Sequence, residues 1–289
     1  MPLQEDLGKA YSTYYTHQAP EINKSTPQGL LRQAYRQLKM SYLADRYRYQ
    51  TGMSKPLSAS LGKLLYLFPS RRREVDGFVR RLCWVPRGKL LDVGCGSGLW
   101  LILMRELGWE VEGVDFDQIS VNLAREHGLK VHHGALAEQN FGSDSFNAIT
   151  LNHVIEHVPD PAQTLTECAR ILKPGGQLIV ATPNASALAH RVLGRNWRGL
   201  EPPRHLHLFS PASMQSLLNK AGFRNASVQA HNSLFIWQES FKLWNQSQHS
   251  LLARLLERVG PFVFLAVEGC WLVAQPNAGE ALFVQAIRN

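Results

Sequence analysis

The chain has 289 residues, of which 45% are hydrophobic and 19% are charged, and these proportions describe a globular protein and exclude a disordered one. The formal net charge of +8 is uneven: residues 1–89 contain 16 lysines and arginines against 6 acids, whereas residues 90–289 contain 15 against 17. Such an N-terminal excess indicates either a solvated basic face or an anionic partner, namely nucleic acid, a membrane surface or an acidic substrate.

The four cysteines are scattered without a C-x-x-C pair, so we expect reduced thiols and neither a disulfide nor a zinc framework. The N-terminus lacks the layout of a secretion signal, and no apolar run reaches the ~18 residues that a membrane-spanning helix needs. We therefore expect a cytoplasmic protein, a monomer or a homodimer, with peripheral membrane contact as an alternative.

Residues 1–88 are predicted to form a basic, tyrosine-rich helical extension. Residues 30–49 have apolar side chains at intervals of three and four beside a basic flank, which predicts a helix that packs on the main domain or, less readily, lies on a membrane. A second helix is predicted over residues 70–84. No nucleic-acid-binding module is recognisable, so no specific nucleic-acid partner is expected. Four polar-tipped aromatic side chains precede these helices and are expected to close over a bound ligand as a lid: Tyr11, Tyr14, Tyr15 and His17.

Residues 89–107 have the form of a nucleotide site, because a short apolar strand is followed by three glycines at alternate positions and then by helical spacing. Glycine lets the backbone turn sharply and approach a ligand, and the start of a helix adds unpaired N–H groups. Gly94, Gly96 and Gly98 give the spacing G-x-G-x-G. A dinucleotide fingerprint is G-x-G-x-x-G, so an NAD-dependent oxidoreductase is disfavoured.

Strands and helices alternate from residue 89 onward, which predicts an α/β fold with a doubly wound, mostly parallel sheet. Strands are expected at residues 89–93, 110–115, 130–133, 146–151, 177–181, around 225–229 and at 281–287, and helices at 118–127, 161–172 and 211–221. Residues 173–176 are expected to be a turn. The predicted domains are a cofactor-binding core over 89–230, an apolar helical insert over 231–279 and a last core strand over 280–289.

Candidate ligand residues follow the second and third predicted strands, since ligands of doubly wound sheets lie beyond the carboxyl ends of the strands. Asp115 is placed to accept hydrogen bonds from both hydroxyls of a ribose. Phe116 offers a flat apolar face to a purine, and Ala135 and Leu136 are expected on the other side of the base.

Three segments of the sequence resemble known motifs. LLDVGCGSG at 90–98 resembles the first motif of the class I S-adenosylmethionine-dependent methyltransferases. NHVIEHVPDP at 152–161 and KPGGQLIVATPN at 173–184 resemble the branch that includes the ubiquinone-biosynthesis O-methyltransferases, and the resemblance covers roughly residues 89–225. It implies a seven-stranded Rossmann-like methyltransferase sheet, with S-adenosylmethionine as cofactor and S-adenosylhomocysteine as product. The cofactor-binding residues are then predicted to be Asp92, Gly94, Cys95, Gly96, Gly98, Asp115, Phe116, Ala135, Leu136 and Asn152, with Tyr14 and Tyr15 from the lid.

The loop after the fourth strand borders the methionine part of the cofactor in these relatives, and Asn152 and His153 inherit that location. Some relatives have a glutamate where His153 stands, and this glutamate together with the following Glu-His pair has been associated with a divalent metal. The matching pair here is Glu156 and His157. A His/Glu/His set is able to bind zinc or iron. The favoured interpretation has no metal and lets Glu156 and His157 shape the loop through hydrogen bonds.

The segment PPRHLHLFS at 202–210 also resembles this branch. Its histidines either face the substrate or bond to backbone carbonyls, and the sequence leaves both alternatives open. An oxygen nucleophile benefits from a general base, a task that suits imidazole. His153 is the first candidate base and His205 the second. The predicted substrate-binding residues are His157, Trp197, Arg204 and His207.

We therefore predict a methyltransferase that acts on a small-molecule acceptor, on an oxygen atom of a phenolic, lipid-like or glycan-related metabolite. The apolar stretch 261–274 is expected to line the acceptor pocket, so the acceptor should have a sizeable apolar part. The alternatives are a methyltransferase that acts on protein or nucleic acid, and a protein that binds the cofactor without turnover.

Overall fold

The computed structural model describes residues 29–49, 59–248 and 258–289, the last range with gaps at 261, 265, 268–269 and 272–273. The predicted lid, with Tyr14 and Tyr15, lies outside the described residues. Among the helices of the described ranges, none is both long and apolar enough to cross a membrane.

The described chain contains one sheet of seven strands in the order β3-β2-β1-β4-β5-β7-β6. Strand β1 pairs in parallel with β2 and β2 with β3, whereas β7 is antiparallel to both β5 and β6. The predicted doubly wound, mostly parallel Rossmann-like sheet is therefore confirmed. The strands are β1 Lys89–Val93, β2 Glu110–Asp115, β3 Lys130–His133, β4 Phe146–Asn152, β5 Leu172–Pro183, β6 Ser227–His231 and β7 Ala281–Ile287.

Several helices begin where the sequence supplies a polar cap. The Asp117 side chain accepts from the backbone N–H groups of Ile119 and Ser120 at the start of the helix Gln118–Glu126. Asp160 and Ser210 cap the helices Pro161–Ile171 and Pro211–Lys220, and a proline follows each of these two caps. The helices are α1 Leu30–Tyr47, α2 Ala59–Gly62, α3 Pro69–Phe78, α4 Leu99–Glu106, α5 Gln118–Glu126, α6 Pro161–Ile171, α7 Leu188–Leu193, α8 Pro211–Lys220 and α9 Leu234–Gln248. The described residues from 258 to 264 and at 266–267, 270–271 and 274 are also helical.

The chain divides into two compact units, with the boundary between Ile149 and Thr150. In the unit that ends at Ile149, α1 packs against α3: Tyr42 is fully buried, and the Tyr42 and Tyr47 hydroxyls donate to Asp76 Oδ1 at 2.7 and 2.8 Å. Helix α3 ends at Phe78, six residues before its predicted end. Two arginines just beyond it, Arg80 and Arg81, have φ values of 48° and 54°, which a helix does not allow.

In the unit that begins at Thr150, Trp237 and Phe241 of α9 form a core with Trp197. Strand β5 starts at Leu172, so the predicted turn at 173–176 is wrong. The reason is long-range pairing: Gly175 N–H donates to the carbonyl of Arg288, and Arg288 N–H donates to that of Gly176. The glycines permit the bend within the strand, since Gly175 has a φ of 75°.

Candidate functional site

The glycine loop folds back over the end of β2. The N–H groups of Gly94 and Cys95 donate to the carbonyl of Val114 at 2.7 and 3.3 Å. Gly98 precedes α4 with a φ of 79°, and a Cβ there would collide with the Leu129 side chain. The positive φ favours glycine at this position, whereas the collision involves only the end of the Leu129 side chain.

Asp115 ends β2 directly below this loop. Its Oδ2 accepts from Gly96 N–H at 2.7 Å and its Oδ1 from Asp117 N–H at 2.9 Å, and the residue is only 8% exposed. Burial raises the pKa of the carboxyl above its ordinary 3.8, because it outweighs these two backbone donors. The charge is thus incompletely compensated, and further donors such as ribose hydroxyls would stabilise it.

Phe116 and the segment after β3 lie in the same unit as Asp115. The Phe116 ring is 48% exposed, Ala135 is exposed and Leu136 is buried. Glu138, which sequence reasoning missed, accepts from Ala135 N–H at 2.8 Å through Oε2. The spacing of three residues from the start of a helical turn is the signal that could have identified it.

Asp92 and Cys95 are buried beside the loop. Asp92 is 1% exposed and forms an ion pair with Arg80, whose guanidinium lies 3.6 Å from the centroid of the Trp100 ring. Burial raises the pKa of the Cys95 thiol, so it remains protonated and is not a nucleophile. Sequence reasoning missed Arg80, because no local pattern links it to Asp92.

A second cluster follows β4 in the other unit. Asn152 is exposed at the end of the strand, and His153 has a φ of 55°. His153 Nδ1 lies 3.3 Å from Oε1 of Glu156, a fully buried residue whose Oε2 accepts from the Thr182 hydroxyl at 3.0 Å. Burial alone would raise the pKa of the Glu156 carboxyl, but the hydrogen bond and charge of His153, with the charge of His157, lower it below 4.5. Glu156 is therefore ionised at neutral pH.

The other histidines bond to backbone carbonyls, one of the two alternatives that the sequence left open. His157 Nδ1 lies 3.0 Å from the carbonyl of Arg204, and His205 Nδ1 lies 2.7 Å from that of Gly199. The two rings meet edge to face with centroids 4.7 Å apart. Burial lowers the pKa of His157, which favours the neutral ring. His207 Nε2 is 3.3 Å from the carbonyl of Pro159.

Three side chains in this cluster could hold a metal ion. Among the residues that the structure describes, Glu156, His157 and His205 each bring one ligand atom within 4.8 Å of the others. This set differs from the trio considered on sequence, because His205 takes the place of His153. The carbonyl contacts at both Nδ1 atoms leave Nε2 as the ring nitrogen for a metal, and the Nε2 of His205 also lies 3.5 Å from Oε2 of Glu201.

Arg204 and Trp197 are held by two carboxylates. Arg204 Nη1 donates to Glu201 Oε1 at 2.8 Å. Trp197 is 1% exposed, its Nε1 donates to Glu280 Oε2 at 2.8 Å, and His190 stacks on it at 4.5 Å. Trp197 is therefore a core residue, and its burial does not support the predicted contact between Trp197 and the substrate. Sequence reasoning missed Glu280, a fully buried acid that also accepts from Ala189 N–H.

The fold and the glycine loop define an α/β protein with a site for an adenosine-containing ligand, and the family comparison agrees. A family model described as a methyltransferase domain matches residues 66–228. The ubiquinone biosynthesis O-methyltransferase of Xanthomonas oryzae pv. oryzae is 31% identical over 232 residues, which cover 74% of this chain and 90% of that protein. The protein of the same name from Xanthomonas axonopodis pv. citri is 32% identical over 203 residues, covering 66% of this chain and 80% of that protein.

Solved structures share the fold at lower identity. Phosphoethanolamine N-methyltransferase 2 of Haemonchus contortus, solved with phosphomonomethylethanolamine and S-adenosylhomocysteine, has a TM-score of 0.53 and 19% identity, covering 73% of this chain and 51% of that chain. An S-adenosylmethionine-dependent methyltransferase from Mesorhizobium loti has a TM-score of 0.51 and 19% identity, covering 74% of this chain and 97% of that chain. The chain belongs to the class I S-adenosylmethionine-dependent methyltransferases. It is a methyltransferase whose methyl donor is S-adenosylmethionine.

Proposed function

We propose that this methyltransferase transfers the methyl group to an oxygen atom of a small-molecule acceptor, with His153 as general base. A sulfonium methyl is already activated, so the reaction needs alignment and, for a hydroxyl nucleophile, removal of a proton. The observation that carries the proposal is the His153–Glu156 pair. With Nδ1 held by the carboxylate, Nε2 is the nitrogen that would accept the proton, on a side chain that is 44% exposed.

Glu156 acts in this proposal as a positioning residue. Its ionised carboxylate orients the His153 ring and stabilises the imidazolium that forms when the proton is taken up. The Thr182 hydroxyl holds the second carboxylate oxygen and so limits rotation of the carboxylate. The left-handed backbone of His153 is a strained feature of the kind found at functional sites.

Two observations support a phenolic or lipid-like acceptor. The curated relatives are named for O-methylation in ubiquinone biosynthesis. In this chain, the helical residues after 258 expose an apolar stripe at intervals of three and four, which we propose receives the apolar part of the acceptor. The stripe consists of Val259, Phe262, Val263, Val267 and Trp271, each 40% to 57% exposed. Phe264 instead stacks on Trp237 at 5.0 Å and supports the stripe from within.

The cofactor assignments are part of the same proposal. Asp115 would accept the ribose hydroxyls, and the exposed Phe116 ring and the Ala135–Leu136 segment would border the adenine. On the family resemblance, Asn152 would border the methionine part. Asp92, Cys95 and the glycines would shape the loop beneath the cofactor.

A series of phenols of graded acidity tests the base. Product formation is measured by mass spectrometry for phenols with and without an alkyl chain, in the wild type and in His153→Gln. We expect kcat to fall about 10²- to 10⁴-fold for weakly acidic phenols, with a smaller loss as the phenol becomes more acidic. His127→Gln, a histidine at the end of α5, serves as the control. An equal loss for all phenols would contradict the role of base.

A metal at Glu156, His157 and His205 is the second candidate for this cluster, favoured by the 4.8 Å proximity of their ligand atoms. It would polarise the acceptor oxygen as a Lewis acid. Elemental analysis of the purified chain, with dialysis against a chelator, separates the two candidates. Stoichiometric zinc or iron that is lost in His205→Gln would favour the metal, and full activity after chelation would favour the His153 base.

A further inference from the structure

The segment between α2 and the first turns of α3 exposes a cluster of large apolar side chains. We call residues 61–74 the apolar-basic turn. Its short 3-10 helix spans Lys63–Leu67, and Leu67 and Phe68 at its end are 72% and 56% exposed. The exposed apolar and aromatic side chains of this turn are Leu61, Leu64, Tyr66, Leu67 and Phe68.

The inner side of the apolar-basic turn is packed against α1. Leu65 is 1% exposed, and a Cβ on Gly62 would lie 2.5–2.6 Å from the backbone of Ser41 and Tyr42. Arg46 Nη1 donates to the Tyr66 hydroxyl at 3.2 Å. Leu65 is therefore the buried side chain of this turn, whereas Leu64, Leu67 and Phe68 are exposed to solvent. The packing of the turn against α1 holds these exposed side chains in place.

The charge around these side chains is positive. Residues 61–74 contain four cations, at Lys63 and at 71–73, against the single acid Glu74. Glu74 is paired with Arg71 at 3.0 Å, while the nearby Asp76 is buried and accepts the hydroxyls of α1. Lys63 and Arg73 are exposed in the same segment.

We propose that the apolar-basic turn docks on an anionic lipid bilayer. Leu64, Leu67 and Phe68 enter the boundary between headgroups and acyl chains, and Lys63 and Arg73 contact lipid phosphates. Nucleic acid would satisfy the cations but would leave the aliphatic tips in water, whereas a bilayer accommodates both. The inference is independent of the acceptor and of the base proposed above.

Vesicle flotation with the full chain tests this proposal. The probes are vesicles of phosphatidylglycerol and phosphatidylcholine in equal parts, and vesicles of phosphatidylcholine alone. We expect partitioning to the anionic vesicles that weakens with salt, since each cation near such a surface contributes on the order of fivefold. Leu67→Ser/Phe68→Ser should lower partitioning about tenfold or more, and Lys63→Gln/Arg73→Gln on the order of tenfold, both with unchanged affinity for S-adenosylmethionine.

The matched control is Phe235→Ser/Lys220→Gln, which removes an exposed aromatic ring and an exposed cation elsewhere in the chain and should change partitioning little. Retention of vesicle binding in either test variant would overturn the proposal. So would equal binding to both kinds of vesicle, or no binding to anionic vesicles at all.

Discussion

Two buried carboxylates, one in each unit of the chain, have pKa values shifted in opposite directions. Asp115 lies beneath the glycine loop, and burial raises its pKa although two backbone N–H groups donate to it. Glu156 lies after β4, close to His153 and His157, and is even more deeply buried than Asp115. The hydrogen bond and charge of His153 and the charge of His157 nevertheless lower the pKa of Glu156. Burial is similar in the two places, so the charge and hydrogen bonds of the neighbouring side chains decide the direction.

The two carboxylates therefore differ in their partners: Asp115 accepts from two backbone N–H groups, whereas Glu156 contacts two side chains. Asp115 faces neutral backbone donors and retains capacity for the hydroxyls of a cofactor. Glu156 already has its hydrogen-bond partners within the protein, at His153 and Thr182. Asp92 belongs with Glu156 in this respect, because Arg80 compensates its charge although it lies beside the glycine loop.

The largest change in stability is expected when the ion pair between Arg80 and Asp92 is removed. Arg80→Gln leaves the Asp92 carboxylate buried without its cation, and we expect a loss of about 3 kcal/mol in the free energy of unfolding at neutral pH. Chemical denaturation measures this loss. Arg87→Gln is the control, since it removes the same charge from an exposed residue that also has a positive φ, and an equal loss in both variants would remove the special role of Arg80.

Asp115→Ala should weaken S-adenosylmethionine binding by roughly 1.5–3 kcal/mol, the range for hydrogen bonds to a charged group. Isothermal titration calorimetry gives the affinity. Glu156→Gln should retain the wild-type affinity, because Glu156 is occupied by protein partners. If Asp115→Ala binds the cofactor as tightly as the wild type, Asp115 is not part of the site.

Glu156→Gln should lower the free energy of unfolding by about 1–2 kcal/mol at neutral pH, with a pH dependence of defined sign. The pKa of Glu156 is lower in the folded chain than its ordinary 4.5, so its stabilisation is present above that value and is lost as the pH falls through the folded pKa. The difference between variant and wild type should therefore shrink in acid. Denaturation curves across the acid range measure it, and a difference that grows in acid would contradict the ionised state.

The smallest effect concerns protons released on cofactor binding. Ribose hydroxyls stabilise the carboxylate of Asp115, so binding should lower its raised pKa, and affinity should fall as the pH drops through the value of the free enzyme. Titration calorimetry in acid, in two buffers of different ionisation enthalpy, measures the released proton. Asp115→Asn should abolish this release while Glu156→Gln keeps it.

The sequence by itself determined the features that depend on neighbouring residues. Strands β2, β3 and β7 have the predicted bounds, and glycines stand close to their ends in the sequence, at 108, 128, 134 and 279. The glycine loop was also identifiable, since positive φ values leave glycine as the suitable residue at each step. Asp115 was identifiable from its position at a strand end, and the helix α1 was identifiable from its apolar stripe.

Only the tertiary structure decided which side chains meet over long stretches of chain. His157 contacts the carbonyl of a residue 47 positions away, and Trp197 donates to a carboxylate 83 positions away. The strand extension at 172–176 likewise depends on pairing with Arg288. Periodicity and motif spacing describe residues that are close together in the sequence. These contacts instead join residues that are distant in the sequence, so they depend on the tertiary fold. For that reason the glycine loop could be predicted from the sequence, but the hydrogen-bond partners of Glu156 and Trp197 could not.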